Sequence, residues 1–187
     1  MSAIIIIDCQ NEFLTSSGIF GSKFINPDPL IKNINHLNIN SNIPCYFIKA
    51  IYDNNLDTID HNQTHSGKRC CEKDSSQSEL VLELLVKFAH KYTEIIIKNH
   101  YSAFNQTDLS KKLQSQNITT LIIGGVTTNT CVKRTCIDAV SLGFNIIIPR
   151  ECTQAFSSPI SKQLFVHHCS EPNYDILLLR LKDNTFP

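Results

Sequence analysis

The stretch Thr120-Leu121-Ile122-Ile123-Gly124-Gly125-Val126-Thr127-Thr128-Asn129-Thr130-Cys131-Val132 decides the fold. It opens as a short apolar run rich in β-branched residues and then breaks at a glycine pair. Val132, Cys136, Ala139 and Val140 follow at helical spacing. Gly143 closes that pattern and suits a left-handed helix cap. A buried strand that turns through glycines into an amphipathic helix is half of a βαβ unit.

The same alternation spreads outward in both directions. Apolar runs at residues 3–7, 44–51, 94–97, 120–123, 145–148 and 174–179 read as strands covered on both faces. Between them, Leu30, Ile31, Ile34 and Leu37 mark one helix, and Val81, Leu85, Phe88 and Ala89 another. Leu109 and Leu113 mark a shorter helix, with Thr107 as its expected N-cap. Strand and helix in alternation predict an α/β fold: three α-β-α layers around a mostly parallel sheet of about six strands, with right-handed crossovers. No linker or repeat interrupts the pattern, so residues 1–187 read as one domain. The polar stretch 52–78 is long for a connection and is expected to be an active-site loop or lid.

Composition narrows the function. Lys plus Arg and Asp plus Glu both number 17, giving a net charge of 0, where a nucleic-acid binder would carry a basic excess. The run Ile4 to Ile7 ends at Asp8, far short of the roughly 20 apolar residues that span a bilayer. It also lacks the flanks of a signal peptide, so a cytoplasmic protein is expected, with no nucleic-acid or membrane partner. The 8 cysteines then read mostly as small buried apolar side chains rather than disulfides. No Cys-x-x-Cys pair suits zinc. Sequons at Asn62, Asn105 and Asn117 are expected to be unmodified.

In an open parallel sheet, ligands bind outside the carboxyl ends of the strands. That rule brings Asp8, Lys98 and Cys131 to one rim. Cys131 opens a helix, whose dipole together with Lys98 is expected to lower its pKa. Asp8 suits a general base, and the turn 126–129 an oxyanion cradle. Gly124-Gly125 lacks the ending of a phosphate loop, so nucleotide binding is not expected.

Three blocks now carry a resemblance. Ile6-Ile7-Asp8-Cys9-Gln10-Asn11-Glu12-Phe13, Ile97-Lys98-Asn99-His100-Tyr101-Ser102-Ala103-Phe104, and Ile123 to Val132 with Asp138-Ala139 and Gly143 resemble the isochorismatase-like family of cysteine hydrolases. That family includes nicotinamidases, carbamoylsarcosine amidohydrolases, ureidoacrylate hydrolases and biuret hydrolases. The resemblance implies Asp8, Lys98 and Cys131 as a catalytic triad. It implies a cis peptide between Val126 and Thr127, aiming the N–H groups of Thr127 and Cys131 at an oxyanion. It implies Phe13 as an aromatic wall of the substrate site, with Tyr101 and Phe104 as further candidates. It also implies a dimer or tetramer.

Two departures bear on the substrate. Nicotinamidases hold a metal through Asp-x-His and a further His. Here the matching stretch reads Tyr52-Asp53-Asn54-Asn55, and His61 and His65 lack a clear carboxylate partner, so no metal and no cofactor are expected. Members that open the vinyl ether of isochorismate generally lack the cysteine, so Cys131 favours C–N cleavage in a small amide, ureido or carbamoyl compound. Two other readings stay open. One is a catalytically idle binder of a small molecule or protein. The other is a redox protein with Cys9 as resolving thiol for Cys131. Lys68 and Arg69 read as solvated surface charges, with a grip on a substrate carboxylate as the alternative.

Overall fold

The computed structural model describes residues 1–21, 26–37, 43–52, 64–65, 68–89, 92–155 and 176–177. In chain order these form β1 (Ser2–Ile7), the short helix α1 (Asn11–Leu14), α2 (Asp28–His36), β2 (Cys45–Ala50), β3 (Thr64–His65), β4 (Lys68–Arg69), α3 (Leu82–Lys87), β5 (Thr93–Lys98), α4 (Leu109–Ser115), β6 (Thr120–Val126), α5 (Lys133–Ser141), β7 (Asn145–Ile147), β8 (Thr153–Gln154) and β9 (Ile176–Leu177). The main sheet runs β5-β2-β1-β6-β7-β9, with β8 added beside β6, and β3 and β4 form a separate hairpin. The pairings in the main sheet are parallel. The expected α/β architecture around six strands is therefore what the chain adopts.

Strand periodicity divides the core in two. Along β1, Ala3, Ile5 and Ile7 face a cluster completed by Leu109 and Leu113 of α4 and by Val132, Cys136 and Ala139. Ile4 and Ile6 face the other way, into a cluster completed by Leu30, Ile31 and Ile34 of α2 and by Leu84 and Phe88. Successive strand side chains point to opposite faces, so a run of isoleucines fills both layers at once.

Helix ends follow local chemistry. After α5, Gly143 takes φ +86°. Its N–H donates to the Val140 carbonyl, and the Phe144 N–H donates to that of Ala139. This is the Schellman pattern that the glycine foreshadows. Thr107 does act at the start of α4, its Oγ1 accepting from the Leu109 N–H at 3.3 Å, although Asp108 is the residue that flanks the helix.

Two expectations need correction. The buried stripe near α3 is Leu80, Leu84 and Phe88 rather than Val81, Leu85, Phe88 and Ala89; Val81 and Leu85 are partly buried, and Ala89 is exposed. Phe88 wins its place by meeting Phe47 of β2 edge-to-face, ring centroids 5.4 Å apart, which turns the six-residue helix. Second, the run 94–97 is not covered on both faces. β5 is the sheet edge, and Ile95 and Ile97 are exposed.

The glycine pair is a packing device. Gly125 sits beside Ile7 in register at φ +114°, where a Cβ would lie 2.0 Å from the Ile7 carbonyl oxygen. A Cβ on Gly124 would press the Cys152 carbonyl at 3.0 Å. Only glycine lets the backbones approach so closely.

Of the long connection after β2, residues 53–63 and 66–67 lie outside the described set, Asp53 and His61 among them, as do Asn62, Cys169 and most of the run 174–179. The described end of the connection returns to β2, the Tyr52 N–H donating to the Cys71 carbonyl at 2.9 Å. No helix among the described residues is long and apolar enough to cross a membrane.

Candidate active site

The carboxyl ends of β1, β5 and β6 bring Asp8, Lys98 and Cys131 together in the interior. Asp8 and Lys98 are each 1% exposed, and Cys131 is 9% exposed. Lys98 Nζ donates to Asp8 Oδ2 at 2.8 Å and to the His100 carbonyl at 3.1 Å. The Cys131 thiol lies close enough to Asp8 and Lys98 for both to act on its protonation. Asp8 Oδ1 is buried without a hydrogen-bond partner.

The backbone holds this arrangement from several sides. Asp8 takes φ +51°, a conformation that Asp tolerates better than most residues. Its N–H donates to the Ile48 carbonyl at 2.9 Å, and its carbonyl accepts from the Gln10 N–H at 2.8 Å. Buried Gln10 then clamps the end of β2, donating to the Ala50 carbonyl and accepting from the Ala50 N–H, both at 2.9 Å. Its amide also donates to the Ser78 carbonyl. Glu12 accepts from the Ile19 N–H at 2.8 Å and from the Cys71 N–H at 3.1 Å. It thereby ties two loops to α1.

The peptide between Val126 and Thr127 is cis. Beyond it, residues Thr128–Val132 form a single π-helical turn that feeds α5. The Thr127 carbonyl closes this turn, accepting from the N–H groups of Thr130 at 3.1 Å and Val132 at 3.2 Å. Thr135 Oγ1 donates to the Cys131 carbonyl at 2.8 Å and accepts from the Ala103 N–H at 3.0 Å. It links the segment after Lys98 to the turn that carries the thiol.

Burial governs the protonation of all three groups. It raises the Asp8 carboxyl above its ordinary value, against the pull of Lys98 and of the Cys131 hydrogen bond. It works against the Lys98 charge, yet Asp8 and Cys131 outweigh it and hold the ammonium above its usual range. The expected lowering of the Cys131 pKa is not found. Burial raises the thiol, Lys98 opposes, and the Asp8 carboxylate reinforces the rise. A helix terminus is a weak influence beside full desolvation, and here the thiol sits within the π turn rather than ahead of the helix.

The aromatic candidates separate. Phe13 stacks on Phe20, centroids 5.5 Å apart, and packs on a small cluster with Ala50, Cys70, Cys71 and Tyr52. Tyr52 belongs to the same rim. Burial, Asp8, Cys131, Cys71 and Cys70 all push its phenol upward. Tyr101 packs against the core layer that includes Cys131. Phe104 packs against the same layer and stacks on Phe144, centroids 5.9 Å apart. Cys9 is also displaced from its expected role. It donates to the Ile7 carbonyl and lies in the core layer across the sheet from Cys131, so it does not serve as that residue's resolving thiol. None of the seven described cysteines forms a disulfide, and all are buried.

Gln10, Glu12, Tyr52 and Thr135 were not singled out from the sequence. Tyr52 carried a usable signal, because it follows a strand on the ligand-binding rim. Among the described residues, no group of three or more His, Cys, Asp or Glu side chains suits a metal ion. Of the residues weighed for a metal, Asp53 and His61 lie outside the described residues, as does the side chain of His65.

Comparison with known proteins places this geometry in context. A family profile described as the isochorismatase domain matches residues 2–168. The chain is 28% identical over 167 residues to a probable inactive nicotinamidase of Arabidopsis thaliana, covering 85% of this chain and 83% of that protein. It is 49% identical over 57 residues to an N-carbamoylsarcosine amidase of an Arthrobacter species, covering 30% and 22%. The solved nicotinamidase of Bacillus subtilis superposes with a TM-score of 0.78 at 25% identity, covering 94% of this chain and 98% of that one.

Proposed function

The chain belongs to the isochorismatase family, and from that premise we propose that it is an amidohydrolase cleaving a C–N bond in a small amide, ureido or carbamoyl compound. The observation that carries this reading is the buried Lys98–Asp8 contact of 2.8 Å with the Cys131 thiol beside both groups. An ammonium and a carboxylate are costly to bury, so a pair set against a thiol fits chemistry better than stability.

Asp8 takes the proton from Cys131 as the sulfur attacks the carbonyl carbon, and an S–C bond forms. The backbone N–H groups of Thr127 and Cys131 stabilise the oxyanion. Collapse breaks the C–N bond, Asp8 returns the proton to the leaving nitrogen, and a thioester remains. Water then attacks the thioester as Asp8 accepts its proton; the S–C bond breaks, Asp8 returns the proton to the sulfur, and the carboxylic acid leaves with the thiol restored. Lys98 stays charged and steadies the sulfur and carboxylate charges as they form. Because the resting thiol is held protonated, proton transfer is coupled to attack rather than preceding it. No step is routed through a metal. Phe13 and Tyr52 form the wall against which the substrate lies.

The test is a panel of small amides and ureides scored by ammonia release. Turnover is expected for at least one compound, lost in Cys131→Ala with an unchanged circular dichroism spectrum, and indifferent to chelators. Equal loss in Cys136→Ala, or zinc-dependent activity, contradicts the reading. The word inactive in the plant relative's name favours a second reading, an idle binder; saturable binding of a panel compound without ammonia release from any of them supports it, and turnover that is lost in Cys131→Ala opposes it.

A further inference from the structure

Cys70 and Cys71 are adjacent in sequence, both are buried, and the mechanism uses neither thiol. Successive side chains of an extended segment point to opposite faces. Here Cys71 takes φ +51°, and both side chains belong to one small cluster with Ala50, against which Phe13, Phe20 and Tyr52 pack. The conformation is gripped from outside the pair. The Cys71 N–H donates to the buried Glu12 carboxylate at 3.1 Å, and the Cys71 carbonyl accepts from the Tyr52 N–H at 2.9 Å. A positive φ is uncommon for a residue with a side chain, and it persists where the surroundings hold it in place. The Cys70 side chain is the first influence that pushes the Cys71 thiol above its ordinary value, ahead of burial, so Cys71 is held protonated beside Cys70. The pair lies just under the surface, because Glu72, Lys73 and Asp74, which follow it, are exposed.

We propose that Cys70 and Cys71 are a reversible modification site, a dithiol that a peroxide closes to a vicinal disulfide in the wall of the candidate active site. Cys70, at 4% exposure against 0% for Cys71, is the thiol that attacks the peroxide. An S–O bond forms, the O–O bond breaks, and one water leaves, so that Cys70 becomes a sulfenic acid. The Cys71 sulfur then attacks that of Cys70. The S–S bond forms, the S–O bond breaks, and the oxygen departs with the Cys71 proton as a second water. The two thiols lose two electrons in all, and the peroxide gains them. Adjacency makes the bond easy to reopen. Consecutive Cα atoms lie about 3.8 Å apart, below the roughly 4.4–6.8 Å of ordinary disulfides. The closed ring is therefore strained, and strained disulfides are the readily reduced, regulatory ones. None of the other six cysteines has a cysteine beside it in sequence. The proposal concerns these two sulfurs and stands whether or not the chain cleaves an amide.

Peptide mass spectrometry on the full, reduced chain tests this. The folded protein is titrated with hydrogen peroxide and quenched with catalase. It is then unfolded, alkylated with iodoacetamide to capture every remaining thiol, and cut with trypsin. Cleavage after Arg69 and Lys73 releases residues 70–73 as one short peptide. At roughly equimolar peroxide that peptide is expected to lose both alkyl groups and to run two hydrogens lighter than the free dithiol. The other six cysteines stay alkylated, and the circular dichroism spectrum is unchanged. Dithiothreitol added before alkylation restores the doubly alkylated peptide. In Cys71→Ser the light form disappears and Cys70 stops at the sulfenic acid, which dimedone traps. A peptide that stays doubly alkylated until Cys131 or another thiol has been oxidised overturns the proposal. So does a link from Cys70 or Cys71 to any other cysteine, or closure that appears only once the spectrum reports unfolding. A Cys70 that takes up no dimedone in Cys71→Ser rejects it as the attacking thiol.

Discussion

Lys98 illustrates how one residue serves both stability and chemistry. Its ammonium is buried against Asp8 and lowers a carboxyl pKa that burial has raised. Replacing Lys98 with Met removes that counterweight and lets the Asp8 value climb further. The acid limb of kcat/KM, which reports the free Asp8 carboxylate, is therefore expected to move to higher pH; a limb that stays in place contradicts the assignment of Asp8 as base. Stability follows the same logic. Stranding a buried charge costs about 3–5 kcal/mol, and Asp8 escapes that cost by taking up a proton. Urea midpoints of Lys98→Met should thus fall well below wild type at pH 8 and recover part of the difference near pH 5. The raised Lys98 value adds a second sign. The stabilisation it contributes is complete below the ordinary lysine value of about 10.4 and is lost only as pH rises through the higher folded value.

At the scale of elements, the two positive-φ glycines among the described residues, Gly125 and Gly143, make opposite demands. Gly125 passes within Cβ-contact distance of Ile7, where an added carbon would sit 2.0 Å from backbone oxygen. Neither strand can retreat without opening the centre of the sheet. Gly125→Ala is expected to abolish soluble, folded protein. At Gly143 a Cβ meets nothing within 4 Å, so only the left-handed conformation resists. Gly143→Ala should cost about 1–2 kcal/mol, a fall in Tm of roughly 2–8 °C for a chain of this size. Thermal melts that rank these two variants the other way would show that the β1–β6 approach is looser than the geometry implies. The π turn Thr128–Val132 has a different job. It turns Cys131 towards Asp8 while leaving Val132 and Cys136 to fill the layer beneath.

Across the whole molecule, the sheet converts sequence distance into proximity. Asp8 and Lys98 are 90 positions apart, and each ends a parallel strand, so the common strand direction delivers both to one rim. The same sheet has an end, and at β5 the apolar run meets no covering layer among the described residues.

The alternation of β-branched runs and helical spacings determined the α/β layers by itself, because a 2-residue and a 3.6-residue period dictate which side chains can be buried together. The strand-end rule located Asp8, Lys98 and Cys131, and the block at 123–132 pointed to the family. Periodicity is silent about which strand lies at the edge, so the exposure of Ile95 and Ile97 was decided only by strand order. It is equally silent about desolvation. Whether Cys131 sits high or low in pKa depends on how completely water is excluded around it, a property of packing in three dimensions. Residues such as Gln10 and Thr135 act through hydrogen bonds to backbone 40 and 32 positions away, and only the closed fold puts those partners in reach.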